Sequence, residues 1–232
     1  MPSAHPGRLV PVVLLGCLLG AGCGSLPTPP PAPSPTVTTS PRPASVKPPT
    51  EGELRSALLT ADDLPGFTVQ STSAGGSSAG PSGEFQGCPA LTEETTTAGV
   101  PSVSVSVQLS QGVTGPFVSE AVTASSVEQA RQTVAGVAQV FDECRQFTAQ
   151  ANGTTMTSTT GTLDMPPLGD ETAAFRMTTT SPTLPIPLRA EVVLIRHRAV
   201  TIQIMHISIS TVDTAVTRSA AQQAWRKVEQ LG

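Results

Sequence analysis

The chain has 232 residues and a formal net charge of −4, with only 13% charged and 3% aromatic side chains and no Tyr. That length suits one domain of ordinary size plus extra segments. A mildly acidic balance without basic runs excludes a nucleic-acid binder, whose phosphate contacts need clustered Lys and Arg.

Residues 1–8, MPSAHPGR, carry one basic side chain, Arg8, besides the free amine. The apolar run LVPVVLLGCLLGAG follows over 9–22. A membrane-spanning helix needs about 20 such residues, so this run is too short. A basic start, a short apolar core and small residues are the parts of a secretory signal peptide. A buried helix is the weaker reading, because Pro11 and the glycines disfavour it. LLGAGC resembles a bacterial lipobox, which implies that Cys23 becomes the first mature residue and carries a lipid. Here Leu19 stands four before Cys23, where the family prefers three. LLGC is a rival match, with Leu14 three before Cys17, but it leaves an apolar core of only about eight residues.

Ten of the 27 residues from 24 to 50 are Pro. Such a segment cannot bury enough surface to offset its ordering entropy. As an extended spacer rising about 3.1 Å per residue, it reaches on the order of 80 Å. Its Ser and Thr suit O-glycosylation. The expected organisation is a signal peptide at 1–22, a lipid-anchored stalk at 23–50 and a folded domain at 51–232.

Leu54, Ala57, Leu58 and Ala61 recur at helical spacing, and Pro65-Gly66 stops that helix. Residues 67–70 suit a short strand, 71–85 a flexible loop, and CPALTEE a helical turn holding Cys88. PSVSVSVQLS alternates strictly, with Val103, Val105, Val107 and Leu109 facing one way and Ser104, Ser106 and Gln108 the other. GPFVSEAVTA is its hairpin partner. Ser125 and Glu128 suggest a capping box. Ala130, Val134, Val137, Phe141 and Cys144 then form one stripe of an amphipathic helix.

Residues 153–163 and 172–180 are Thr-rich strands around the turn PPLGDE. PLRAEVVLIRHRAVTIQIMHISIS reads as two long strands around a turn at 196–199. Val192 to Ile195 is apolar on both parities, which places that strand centrally. A last helix spans 213–231, with Val216, Ala220, Ala224, Val228 and Leu231 on its stripe and Trp225 beside it. The order α-β-α-β-β-α-β-β-β-β-α implies an α+β domain. Its sheet is mainly antiparallel, with helices packed on part of one face.

If Cys23 is lipidated and Cys17 leaves with the signal, Cys88 and Cys144 remain as an even pair. Outside the membrane such a pair oxidises, closing a loop worth about 4 kcal/mol on chain entropy. Two free buried thiols are the alternative.

No G-x-S-x-G, H-E-x-x-H, S-x-x-K or glycine-rich phosphate loop is present. His197 reads as a solvated turn tip. His206 shares a face with Ile202 and Ile204 and reads as a half-buried, hydrogen-bonded side chain. Asp62 and Asp63 end a helix; Asp170 and Glu171 form a turn and a strand start. Arg189, Arg196 and Arg198 make a small basic patch or a solvated edge. No metal or other cofactor is expected.

ALLTADDLPGFTV, the Cys in a short turn, the helix ending near CRQF, PPLGDETAAFRM and the apolar hairpin are similar to a widespread type of actinobacterial lipoprotein. More loosely, they resemble the extracellular sensor domain of actinobacterial receptor serine/threonine kinases. Abundant Thr, Val and Ala with little charge matches exported proteins of such bacteria. The resemblance implies an antiparallel sheet with flanking helices, a ligand cleft, and binding or sensing at the envelope. That family usually has two disulfides, and this chain offers one. It supplies no site residues.

Three functions follow as expectations. The first is a non-enzymatic binding or sensor-accessory lipoprotein, anchored through Cys23 on the extracytoplasmic face of the cell membrane, with an unknown small ligand. The second is an interaction protein that docks another envelope protein through the wet sheet face. The third is a hydrolase with an unfamiliar site, for which Asp170, Glu171 and His206 must converge.

Overall fold

The computed structural model describes residues 47–75, 84–88, 102–151 and 153–231. The expected signal peptide, Cys17, Cys23, nearly all of the stalk and the helical turn after Cys88 lie outside the described residues. Within them the order is α1 (Glu51–Ser56), β1 (Thr68–Ala74), β2 (Glu84–Gln86), β3 (Val103–Ser110), β4 (Phe117–Ala124), α2 (Val127–Glu143), β5 (Gln146–Ala151), β6 (Thr154–Thr162), β7 (Glu171–Ser181), β8 (Leu184–His197), β9 (Val200–Ser208) and α3 (Thr214–Glu229).

The strands form one nine-stranded sheet in the order β1-β3-β4-β9-β8-β7-β6-β5-β2. All neighbours pair antiparallel. The α+β class with an antiparallel sheet is as expected. β8 is the middle strand, and its alternate residues enter two cores. Val193 and Ile195 join Val105, Val107, Leu109, Val118, Val122, Ile202 and Ile204 under α1 and α3. Val192 and Leu194 join Phe175 under Val134, Val137 and Phe141 of α2. Period-two alternation makes these opposite faces. Helices on part of one face therefore describes α1 and α3, while α2 covers part of the other. A central strand apolar on both parities demands a cover on each side, since each buried Val or Ile contributes about 1.5–3 kcal/mol.

Several boundaries differ from the sequence reading. α1 starts with a capping box between Thr50 and Glu53 and stops at Ser56, short of Ala61. The Leu59 N–H donates to the Glu120 carboxyl group (2.6 Å) and the Thr60 N–H to Asp63 (2.8 Å), so neither continues the helical ladder. β1 runs through residues 71–74 of the expected loop because it pairs with β3 along Ser71–Ala74. β2 and β5 pair with one another at the far edge and had not been foreseen. The α2 cap is Ser126, which accepts from the Gln129 N–H at 3.1 Å, and not Ser125. Ser125 gives its own N–H to Ala199 at the β8–β9 turn. Phe141 of α2 stacks on Phe175 of β7 (centroids 4.3 Å, 12°).

The LGDE loop folds onto the β8–β9 turn. Gly169 sits at φ 62°, and a Cβ there would collide with the Arg196 carbonyl. The adjacent Asp170 N–H donates to that same carbonyl at 2.7 Å. Gly169→Ala is therefore expected to lose about 2 kcal/mol, from left-handed strain plus the displaced contact. Urea unfolding would measure it, and an unchanged midpoint would contradict the close approach.

Candidate functional site

A polar layer lies inside the core between the sheet and α3. β4, β9 and β8 contribute Glu120, His206 and Glu191, each within 4% of full burial. The register places Glu191 directly opposite His206, and Ile204 opposite Glu120. His206 is two residues beyond Ile204, so it is a diagonal same-face neighbour of Glu120.

α3 is capped by Asp213, whose Oδ1 accepts from the Ala215 N–H at 2.9 Å. Its first turns lower two hydroxyls onto the layer. Thr214 and Thr217 donate to the two Glu191 oxygens at 2.7 and 2.6 Å. The Thr217 proton is then used, so its oxygen accepts from His206 Nδ1 at 2.9 Å. In the neutral ring this sets the tautomer, with the proton on Nδ1 and Nε2 left as an acceptor. His206 Nε2 is buried without a hydrogen-bond partner among the described residues. Burial holds His206 below its ordinary 6.5, against the pull of Glu191 and Asp213.

Glu120 Oε2 accepts from the Leu59 N–H, while Oε1 is buried and unpartnered among the described residues. Burial pushes this carboxyl up to about 8, opposed by the Leu59 hydrogen bond and by the Lys227 charge. Glu120 is therefore neutral at pH 7, its proton on the oxygen that Leu59 leaves free. Lys227 of α3 donates to Leu58 O at 2.8 Å and bonds the Asp63 carboxylate. Burial alone would raise Asp63, but Lys227 and the Thr60 hydrogen bonds hold it below the usual carboxylate range. The turn after α1 is thus pinned by Glu120 from the sheet and by Lys227 from α3.

Beyond that turn a cleft of about 220 Å3 opens between Leu64, Pro65 and Phe67 on one side and Ala215, Val216 and Ser219 on the other. The buried Phe67 ring stands edge-on to the His206 imidazole (centroids 6.4 Å, 74°). Phe67 is both a cleft wall and the neighbour of the polar layer.

The residues marked from sequence separate. His206 is fully buried rather than half-buried, because α3 closes over it. Glu171 pairs with Arg196, five residues along β8 from the Glu191–His206 pair, or about 17 Å at strand rise. It also faces α2, where Arg131 approaches it at 3.9 Å. Asp170, Glu171 and His206 do not converge, which removes the basis for a hydrolase built on them. Arg196 is no part of a basic patch. It is buried and bonds Glu171 at 3.0 Å and Asp170 at 3.1 Å. Arg189 lies seven residues away on the other parity, and Arg198 is exposed. His197 is half-buried at the hairpin end rather than a free tip. Asp63 reaches a long-range partner rather than merely ending a helix. Cys88 and Cys144 are joined by a disulfide, Cα 5.3 Å apart, linking the end of β2 to the C-cap of α2.

Sequence reading passed over Glu120, Glu191, Thr217 and Lys227. A signal existed for two of them: Glu120 is in phase with Val118 and Val122, and Glu191 with Val193 and Ile195. An acid in phase with core residues is either paired or neutral when buried. Thr217 and Lys227 carried no such mark.

No protein-family model and no curated protein sequence matches the chain. Among solved structures, it is similar to the crystal structure of the extracellular domain of PknH from Mycobacterium tuberculosis. The TM-score is 0.55 at 16% identity, covering 80% of this chain and 97% of that one. An X-ray structure of an Rv0999 ortholog from Mycobacterium smegmatis gives 0.45 at 10% identity, covering 77% and 94%. The chain thus has the fold of the first of these and loosely resembles the extracellular sensor domain of an actinobacterial kinase.

Proposed function

We propose that the chain is a non-enzymatic binding or sensor-accessory lipoprotein, held by a lipid on Cys23 at the extracytoplasmic face of the cell membrane. The observation that carries this reading is the fold shared with the PknH extracellular domain over 80% of the chain. The Cys88–Cys144 bridge is consistent with an oxidising compartment. The lipobox supplies the anchor, the Pro-rich stalk the distance from the membrane, and the cleft beside Phe67 a place for a small ligand.

Mass spectrometry of the protein from its host is expected to give an amino terminus at Cys23 bearing diacylglycerol. Cys23→Ser should release the protein from the membrane fraction. An unlipidated chain that stays cytoplasmic would overturn the reading, while a lipid on Cys17 would move the anchor and lengthen the stalk. Native mass spectrometry of the same material tests ligand binding, since a retained small molecule adds its own mass.

A second reading rests on the other sheet face. Ser104, Ser106, Gln108, Ser119, Thr123 and Gln203 form an uncharged, part-exposed patch on β3, β4 and β9. It suits an interaction protein that docks another envelope protein. Crosslinking that recovers one protein partner, with no small molecule retained, would favour it.

A further inference from the structure

Among the described residues three buried side-chain atoms lack a hydrogen-bond partner: Trp225 Nε1, and Glu120 Oε1 and His206 Nε2, which belong to diagonal neighbours on one sheet face. Diagonal Cβ atoms are about 7–8 Å apart or less, within reach of each other's long side chains. Their hydrogen-bonding roles are opposite. In the neutral ring that burial favours, Nε2 accepts, because Nδ1 gives its proton to Thr217, whose own proton goes to Glu191. Burial favours the protonated Glu120 carboxyl, and its Oε2 already takes the Leu59 N–H. Its proton therefore sits on Oε1, ready to be donated.

Leaving a buried donor or acceptor unmade costs about 1–3 kcal/mol, and folded proteins rarely leave one without a partner. A hydroxyl group has the matching pair of roles: its oxygen can accept from Glu120 and its hydrogen can go to His206. Phe67 connects this pair to the outside, since its ring lies against the imidazole and also walls the apolar cleft. A cavity of about 150 Å3 lined by apolar side chains already holds benzene, so the 220 Å3 here has room for a six-membered ring with one substituent. A charged ligand is disfavoured. None of the residues that line the cleft is charged, and the nearby Lys227 and Glu191 are already bonded, to Asp63 and to two threonines, so nothing in the lining offsets the desolvation of a charge.

We propose that the cleft at Phe67 and the Glu120–His206 pair form one site for a small apolar molecule bearing a hydroxyl. The body lies between the 64–67 turn and α3, and the Phe67 ring turns aside to let the hydroxyl reach both side chains. This rests on the binding-domain reading and names the chemical class of its ligand.

Cyclohexanol and methylcyclohexane are a matched pair that differ by the hydroxyl alone. With isotope-labelled histidine, NMR titration of the protein is expected to show cyclohexanol binding about tenfold more tightly. It should also shift the His206 Nε2 resonance towards the hydrogen-bonded range. Glu120→Gln keeps a donor at the same place and should retain the preference; Glu120→Leu should abolish it. Ala215→Trp, from the exposed surface of α3, fills the cleft without entering the core, and should block binding with the free-protein His206 resonance unchanged. Equal affinities, or no binding, would overturn the proposal. So would an Nε2 already hydrogen-bonded and unmoved by the alcohol, which is the signature of a resident water. None of those results bears on the parent reading, which depends on the lipid at Cys23 and on a ligand retained in native mass spectrometry.

Discussion

Glu120→Gln is expected to stabilise the protein by on the order of 3 kcal/mol at pH 7. The folded protein keeps the Glu120 proton up to about pH 8, while the unfolded chain releases it near 4.5. Between those values the unfolded state binds fewer protons, so stability falls as pH rises, by about 1.4 kcal/mol per unit, and levels off above 8. Glutamine keeps a carbonyl for the Leu59 N–H and has no proton to lose. For a domain of this size the gain corresponds to a melting temperature higher by about 6–12 °C. The shift on His206 has the opposite sign: being held below 6.5, it costs stability only as pH falls below that value. Asp63, held low by Lys227, acts lower still. The window from pH 6.5 to 8 therefore isolates Glu120. Urea midpoints measured across it should slope downward for the native protein and lie flat for the variant; parallel slopes would show that Glu120 is already ionised in the fold.

Replacing Cys88 and Cys144 together by Ala is expected to cost about 4 kcal/mol, the loop-closure entropy of a bridge spanning 56 residues. The double variant avoids a stray thiol and keeps the measurement clean. Loss should begin locally, because β2 has three residues and closes the sheet edge against β5. Hydrogen exchange should therefore speed up in β5 and at the end of α2 before it does in β8 and β9. Both sulfurs are buried, so reductant added to the folded protein should act only through opening. Equal denaturation midpoints for bridged and bridge-free protein would remove the bridge from the stability account.

The parts legible in sequence were those with long, regular periods. Val105, Val107 and Leu109 announced β3, Ala130 to Phe141 announced α2, and the doubly apolar Val192–Ile195 announced a central strand. Edge pieces escaped because pairing, not pattern, makes them strands. β2 is three residues long, and the Ser-rich end of β1 is a strand only because β3 lies beside it. The helical spacing through Ala61 was overruled by two acidic side chains, Glu120 and Asp63, that took the Leu59 and Thr60 N–H groups. The expected capping box at Ser125 is replaced by a simple cap at Ser126, one residue on, because the Ser125 N–H is drawn to Ala199.

The candidate site was legible only in outline. His206 was marked, and its phase with Ile202 and Ile204 correctly put it on the dry face. The sequence by itself determined the class of fold, the central strand and the parity of residues in regular strands such as β3, β8 and β9, because these follow from local periodicity and composition. Only the tertiary structure decided which polar residues meet. Leu58 and Lys227 are 169 residues apart, and the His206 proton is directed by a threonine on the last helix. Such contacts depend on strand order and on where α3 lands, and nothing local encodes either. The same packing leaves Glu120 neutral and His206 with an open acceptor, which turned two ordinary residues of alternating strands into the most informative pair in the domain.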